Sequence, residues 1–279
     1  MRKSILGLSA FALVAIATPA FAADDDGLGL TITGSATVVS DYRFRGVSQS
    51  NEDVAIQSSV TVTHTSGAYV GFWGSTNKGQ GELDVIGGFS HELVPGLTGD
   101  IGVTYYLYPN RRDVGGPIAY SNAGTLSGLN AANELVEPYV SLSGTVGPVW
   151  GKVGFAWAPK QDYFQTADGR RNENTYVWGD SSIAIPNTPL KLTGHAGWTS
   201  NHYLRSVFND GLSSSKADVI DYGVGASASY KALTLGVNFI STNVPKRYIG
   251  FSSYTSGTYR AREVYGADNT VVFSLGAAF

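Results

Sequence analysis

Four histidines, His64, His91, His195 and His202, are the side chains of this 279-residue chain best suited to move protons near neutral pH. To hydrolyse an ester, one of them would need a serine within hydrogen-bond reach and a third polar group to orient it. No G-x-S-x-G elbow occurs. No H-x-x-x-H pair and no calcium-loop spacing of acids offers a metal site. Cysteine is absent, which removes thiol nucleophiles, thiolate metal ligands and disulfides. The sequence therefore reads as non-enzymatic, with no cofactor and no metal.

The remaining chemistry is electrostatic. Asp41, Arg43, Arg45, Asp84, Asp100, Glu137, Lys152, Asp180, Lys191, His195 and Asp221 fall in phase with small polar neighbours and out of phase with apolar ones. On one surface such a mixed set attracts or repels passing ions, or pairs across neighbouring strands and braces the wall. Acids outnumber permanent bases in the set, so a channel it lines is expected to prefer cations mildly.

The elements that would carry these residues are strands. From Leu30 onward the apolar or small residues Leu30, Ile32, Gly34, Ala36 and Val38 alternate with Thr31, Thr33, Ser35 and Thr37. This period of two marks a strand with one apolar and one polar face. Twelve such segments follow, near 30–45, 53–65, 68–76, 82–92, 97–108, 134–144, 148–158, 174–185, 189–200, 218–230, 232–242 and 269–279. Their length suits the ~9–11 residues of a tilted strand crossing a bilayer. Odd-numbered segments end in polar loops near 46–52, 77–81, 109–133, 159–173, 201–217 and 243–268, and even-numbered ones in short turns. The expected fold is all-β: a single antiparallel up-and-down transmembrane β-barrel of about 12 strands, with long extracellular loops alternating without exception with short periplasmic turns. Trp73, Tyr105, Trp157 and Trp198 near the long-loop strand ends, with Tyr222 and Tyr230 on the lipid-facing set, read as aromatic girdles.

Residues 1–22 read as a cleaved signal peptide, with Arg2 and Lys3, an apolar run over 5–16 and the A-x-A site Ala20-Phe21-Ala22. The barrel domain is then 23–279. Without Arg2 and Lys3, 17 of the 19 basic residues stand against 22 acidic ones, a formal charge of −5. Nothing in that balance suggests nucleic acid.

The stretch Ser40-Asp41-Tyr42-Arg43-Phe44-Arg45-Gly46-Val47-Ser48-Gln49-Ser50 is the most distinctive in the chain. With Gly71-Phe72-Trp73-Gly74-Ser75, Glu82-Leu83-Asp84 and the terminal Phe279, it resembles the TorF-type porins of proteobacteria over essentially the whole mature length. The resemblance implies an outer-membrane channel. A terminal aromatic on a terminal apolar strand, as Phe279 is, resembles the signal that barrel-assembly machinery reads.

Twelve strands about 4.8 Å apart and tilted ~40° give a backbone diameter near ~24 Å, with on the order of 10–12 Å left between side chains. The expected function is a narrow, weakly selective, mildly cation-preferring porin of the outer membrane. It would pass ions or small hydrophilic solutes by passive diffusion. Its partners would be the outer-membrane bilayer, the assembly machinery and those solutes. Arg43 and Arg45 alternate with Tyr42 and Phe44, so they are expected to point inward from a long first strand while the two aromatics point out. Loop 109–133, with Arg111, Arg112 and Asp113, is the best candidate for a constriction and loop 243–268 the next, the alternative being that both splay outward as surface decoration. One alternative is a closed barrel acting through its surface loops as an adhesin or structural anchor. Another is an outer-membrane lipid hydrolase, which the absent elbow disfavours.

Overall fold

Successive side chains on a strand point to opposite faces, so each segment above offers one apolar and one polar surface. Closing the sheet into a cylinder puts one surface wholly outside and the other wholly inside. The computed structural model describes residues 27–77, 80–109, 133–164, 171–200, 218–243, 248–250, 258–260 and 266–279. Its strands are β1 (Leu30–Val39), β2 (Arg43–Phe44), β3 (Val47–Ser48), β4 (Ala55–His64), β5 (Ala68–Asn77), β6 (Gln80–Val94), β7 (Leu97–Leu107) and β8 (Glu134–Val146). These continue as β9 (Val149–Gln161), β10 (Asn172–Ala184), β11 (Leu190–Ser200), β12 (Val219–Tyr230), β13 (Leu233–Thr242), β14 (Tyr248–Gly250), β15 (Thr258–Arg260) and β16 (Thr270–Ala278).

Twelve of them close an antiparallel barrel in the order β1-β16-β13-β12-β11-β10-β9-β8-β7-β6-β5-β4. The short pairs β2–β3 and β14–β15 stand apart from the wall. At the seam, β16 pairs with β1. Phe279 completes the seam: Gly34 N–H donates to its carbonyl at 2.8 Å, and its own N–H donates back at 2.9 Å. The Phe279 ring lies on Gly34, where a β-carbon would collide with it.

The barrel is polar inside and apolar outside. Ile32, Phe72, Val103, Phe155, Val224 and Phe273 are exposed on the outer face, Val224 by 63%. Gln57, Asp84, Asp100, Thr104, Glu137, Lys152 and Asn238, of the opposite parity, are buried. Trp157, Trp198, Tyr222 and Tyr230 are exposed on the outside. Trp73 departs from the expected girdle: it is buried on the inner face, in phase with Ser75.

Two links correct the expected pattern. The first strand ends at Val39 rather than near residue 45, and a 15-residue loop, 40–54, follows before β4. Its cause is local. Asp41 accepts hydrogen bonds from Ser48 Oγ (2.6 Å) and Ser50 Oγ (2.9 Å), and Ser50 Oγ accepts from the Tyr42 N–H. These bonds compete with continued ladder pairing and fold the chain back as the β2–β3 ribbon. The second correction is the β5–β6 link. Asn77 pairs with Gln80 across residues 78–79, so this link is as short as a turn and the alternation of long and short links has an exception. The expected signal peptide, His202, and Arg111, Arg112 and Asp113 of the expected constriction lie outside the described residues.

Candidate functional site

Loop 40–54 turns into the lumen. At its tip, Arg45 (φ 47°) and Gly46 (φ 78°) join β2 to β3 as a two-residue hairpin with both central residues in the left-handed region. That turn favours Asn-Gly or Gly-Gly, so an arginine there is held in an unfavourable backbone conformation. Gly46 is required a second time by close approach, because a β-carbon on it would run into Thr242 and Asp221.

The loop's side chains anchor it around the barrel. Tyr42 packs on Trp73 of β5, ring centroids 5.4 Å apart, within a cluster that includes Val39, Ala55, Ile240 and Val272. Phe44 sits edge-on to Tyr106 of β7 at 6.1 Å. Arg43 binds the Asp41 carboxylate, the Gly266 carbonyl and the Asp268 carbonyl, the last at 3.1 Å. Tyr42, Arg43, Phe44 and Arg45 therefore all lie inside the barrel, and the strand alternation expected to split them does not extend to this loop. The apolar inward residues Val39, Leu135, Ile240 and Val272 have a use here, since they seat the loop's rings.

Arg45 spans the lumen from the β1–β4 side to β8 and β10. Its Nη2 donates to both Glu137 oxygens, at 2.7 and 2.8 Å, and its Nη1 donates to Asn174 Oδ1 at 2.9 Å. The guanidinium lies 4.1 Å over the Tyr176 ring and 4.9 Å from the Phe44 ring. The acceptors are themselves held. Tyr106 donates to Glu137 Oε2 at 3.0 Å, and Asn174 Nδ2 donates to the Ser200 carbonyl at 2.9 Å, which turns the amide oxygen toward Arg45. Burial opposes the charge on Arg45, but the Glu137 carboxylate more than offsets it and raises the guanidinium pKa above its ordinary value.

Below the loop lies a band of aromatic and charged groups. His195 Nδ1 faces Asp180 Oδ1 at 2.6 Å and its Nε2 faces Asp221 Oδ1 at 2.9 Å. The Tyr176 hydroxyl donates to the same Asp221 oxygen at 3.1 Å, and its ring stacks on Trp178 at 5.5 Å. Tyr69 donates to Asp100 at 2.8 Å and meets the Tyr139 hydroxyl. Lys152 pairs in register with Asp180 across β9 and β10. Trp178 lies flat on Gly154, and Tyr176 on Gly197, each filling the space a β-carbon would take. These rings consequently hug the wall rather than bridge the lumen.

Of the residues singled out in the sequence, Asp84, Asp100, Glu137, Lys152 and Asp221 are buried inside, with Asp180, Lys191 and His195 on the same inward phases. Asp41, Arg43 and Arg45 are inside as parts of the loop. Glu137 gathers Arg45, and His195 gathers Asp180 and Asp221; Asp84 joins neither group. Sequence reading missed Glu82, Trp73, Tyr106, Tyr139, Asn174, Tyr176 and Trp178. Parity was the available signal: Glu82 precedes Asp84 by two residues, Tyr139 follows Glu137 by two, and Tyr176 and Trp178 precede Asp180 by four and two. Glu82 Oε2 and Asp84 Oδ1 are buried without a hydrogen-bond partner among the described residues.

No curated protein matches this sequence closely enough to lend it a function. Among solved structures, the NanC porin superposes with a TM-score of 0.51 at 13% identity, over 89% of this chain and 98% of that one. The KdgM porin gives 0.49 at 6% identity, over 88% and 98%. OccD3 (OpdP) of Pseudomonas aeruginosa gives 0.40 at 10% identity, over 90% and 65%. The likeness to NanC is one of fold, a porin-like β-barrel. Residues 23–279 match the family model Gcw_chp, described as a bacterial protein of unknown function, and the chain belongs to that family.

Proposed function

We infer that this protein is a diffusion channel of the outer membrane, passing ions or small hydrophilic solutes with a mild preference for cations. The observation that carries the reading is the inversion of the barrel: exposed apolar residues outside and buried polar and charged residues inside. Such a cylinder suits a bilayer and an aqueous lumen. The signal-peptide pattern of 1–22 would export the chain, and Phe279, bonded into the seam, would present the terminal aromatic to the barrel-assembly machinery. The resemblance of Ser40–Ser50 to TorF-type porins supports the same reading, and these residues belong to the inserted loop. The long links would then face the cell exterior and the short turns the periplasm. Loop 40–54, held across the lumen by Arg45, would be the constriction.

The cation preference rests on the charge arrangement. Arg43 is matched to Asp41 and Arg45 to Glu137, whereas Glu82 and Asp84 have no basic partner among the described residues. Such acids attract cations once ionised, so the preference should grow as pH rises. Planar-bilayer recording of the refolded protein tests the function. Discrete current steps are expected. Folded protein that inserts without steps would favour the second reading, a closed barrel acting through its surface loops, which the reach of loop 40–54 across the lumen also suits.

A further inference from the structure

We propose that Glu137, Asn174 and Tyr176 form a binding site for guanidinium-bearing cations, which Arg45 occupies as a tethered ligand that a permeating solute displaces. The proposal rests on the channel reading and names the class of solute it would serve.

The three wall residues present what a guanidinium requires: a carboxylate with both oxygens accepting from it, an amide oxygen for a second nitrogen, and an aromatic face beneath the plane. All three are nearly fully buried, Glu137 to 3% exposure and Asn174 and Tyr176 to 2% each. The site is positioned by other wall groups, Tyr106 on Glu137 and the Ser200 carbonyl on Asn174, and not by the loop alone. Its geometry therefore belongs to the rigid strands β8 and β10, while its occupant belongs to a loop.

The hold on that occupant is limited. Arg45 is held at a left-handed φ of 47°, a conformation strained for any residue but glycine. Its Nε has no hydrogen-bond partner among the described residues. A tethered group competes with free ligand at an effective concentration in the millimolar range for short flexible links. Solutes reaching a diffusion channel at millimolar concentrations can thus exchange with it.

The test is equilibrium binding of methylguanidinium to the folded protein in detergent micelles by calorimetry, with neutral methylurea as control. Arg45→Ala empties the site and should bind methylguanidinium about tenfold or more tighter than the wild type, in which Arg45 competes. Adding Glu137→Gln to Arg45→Ala should remove that gain, and methylurea should bind to none of the proteins. Arg45→Lys keeps a charge at the loop tip but lacks the planar fork, so it should fall between wild type and Arg45→Ala; it also serves if the alanine variant fails to fold. Equal affinity in wild type and the Arg45 variants, or no loss with Glu137→Gln, overturns the proposal. Binding without current steps in a bilayer would instead overturn the channel reading alone, and steps without binding would overturn this proposal alone.

Discussion

The two halves of the barrel wall are built from different residues. From β5 to β11 the inner face carries Tyr69, Trp73, Asp84, Asp100, Tyr106, Glu137, Lys152, Tyr176, Trp178 and His195, most of them buried. Apart from Asp221 on β12 and the ring-seating Val39, Ala55, Ile240 and Val272, the inner face from β12 through β13, β16, β1 and β4 carries Gly225, Ser227, Ser229, Thr234, Gly236, Asn238, Ser274, Gly276, Ser35 and Ser59, several of them half-exposed. Ser229 bonds Thr234 at 2.9 Å and Ser35 bonds Ser59 at 2.7 Å, short neutral pairs between adjacent strands. One sheet with one repeating pattern thus holds a charged, aromatic wall and a plainer wall. The loop that crosses the lumen starts from the plainer side and places its arginine on the charged side. The lesson is that strand alternation fixes which residues face the lumen, while the choice among polar residues at those positions decides what the lumen can hold.

Changes that break this asymmetry should have graded effects. Glu137→Ala leaves the buried Arg45 guanidinium without its carboxylate. Removing one partner of a buried ion pair costs roughly 3–5 kcal/mol, and here the loss should fall on the seating of loop 40–54. Hydrogen exchange of the backbone amides in 42–50 should accelerate strongly while those of β8 stay protected. Unchanged protection in the loop would show that its aromatic rings alone seat it.

Val224→Arg places a charge on the lipid face, where the cost near mid-membrane is roughly 2–4 kcal/mol. Its folded yield in lipid vesicles should drop. Ser227, three residues on, faces the lumen, and Ser227→Arg should fold with wild-type yield and move the reversal potential toward anions. Exchange of the two outcomes would mean that the β12 register is off by one residue. Phe279→Ser removes a half-exposed ring from Gly34 at the seam. By area burial that is worth about 1 kcal/mol, so the folded yield should fall modestly while conductance per inserted channel stays the same. Altered unit conductance would place Phe279 in the ion path instead.

Most of the wall was legible because its physics is periodic. Val103 and Thr104 alternate between lipid and lumen simply by their spacing, and the exposed valine and buried threonine follow it. The inserted loop was not legible in the same way. Tyr42, Arg43, Phe44 and Arg45 keep the two-residue period beyond Val39, but the bonds of Asp41 to Ser48 and Ser50 end the strand. Those bonds form between residues seven and nine apart, a separation that periodicity does not register. Arg45 meeting Glu137 depends on barrel closure, which brings residues 92 positions apart within hydrogen-bond reach. Trp73 looked like a girdle residue by its place along the strand, yet its parity with Ser75 and its fit to Tyr42 put it inside.

In a conducting lumen, Glu82 and Asp84, acids without a basic partner among the described residues, should set the ion preference. The reversal potential of the wild-type channel in a potassium chloride gradient, measured beside the Glu82→Gln, Asp84→Asn double variant, tests this most directly. A wild-type reversal on the cation side is expected, with a shift toward zero in the variant and conductance retained. A wild-type reversal on the anion side, or the same reversal in both proteins, would contradict it.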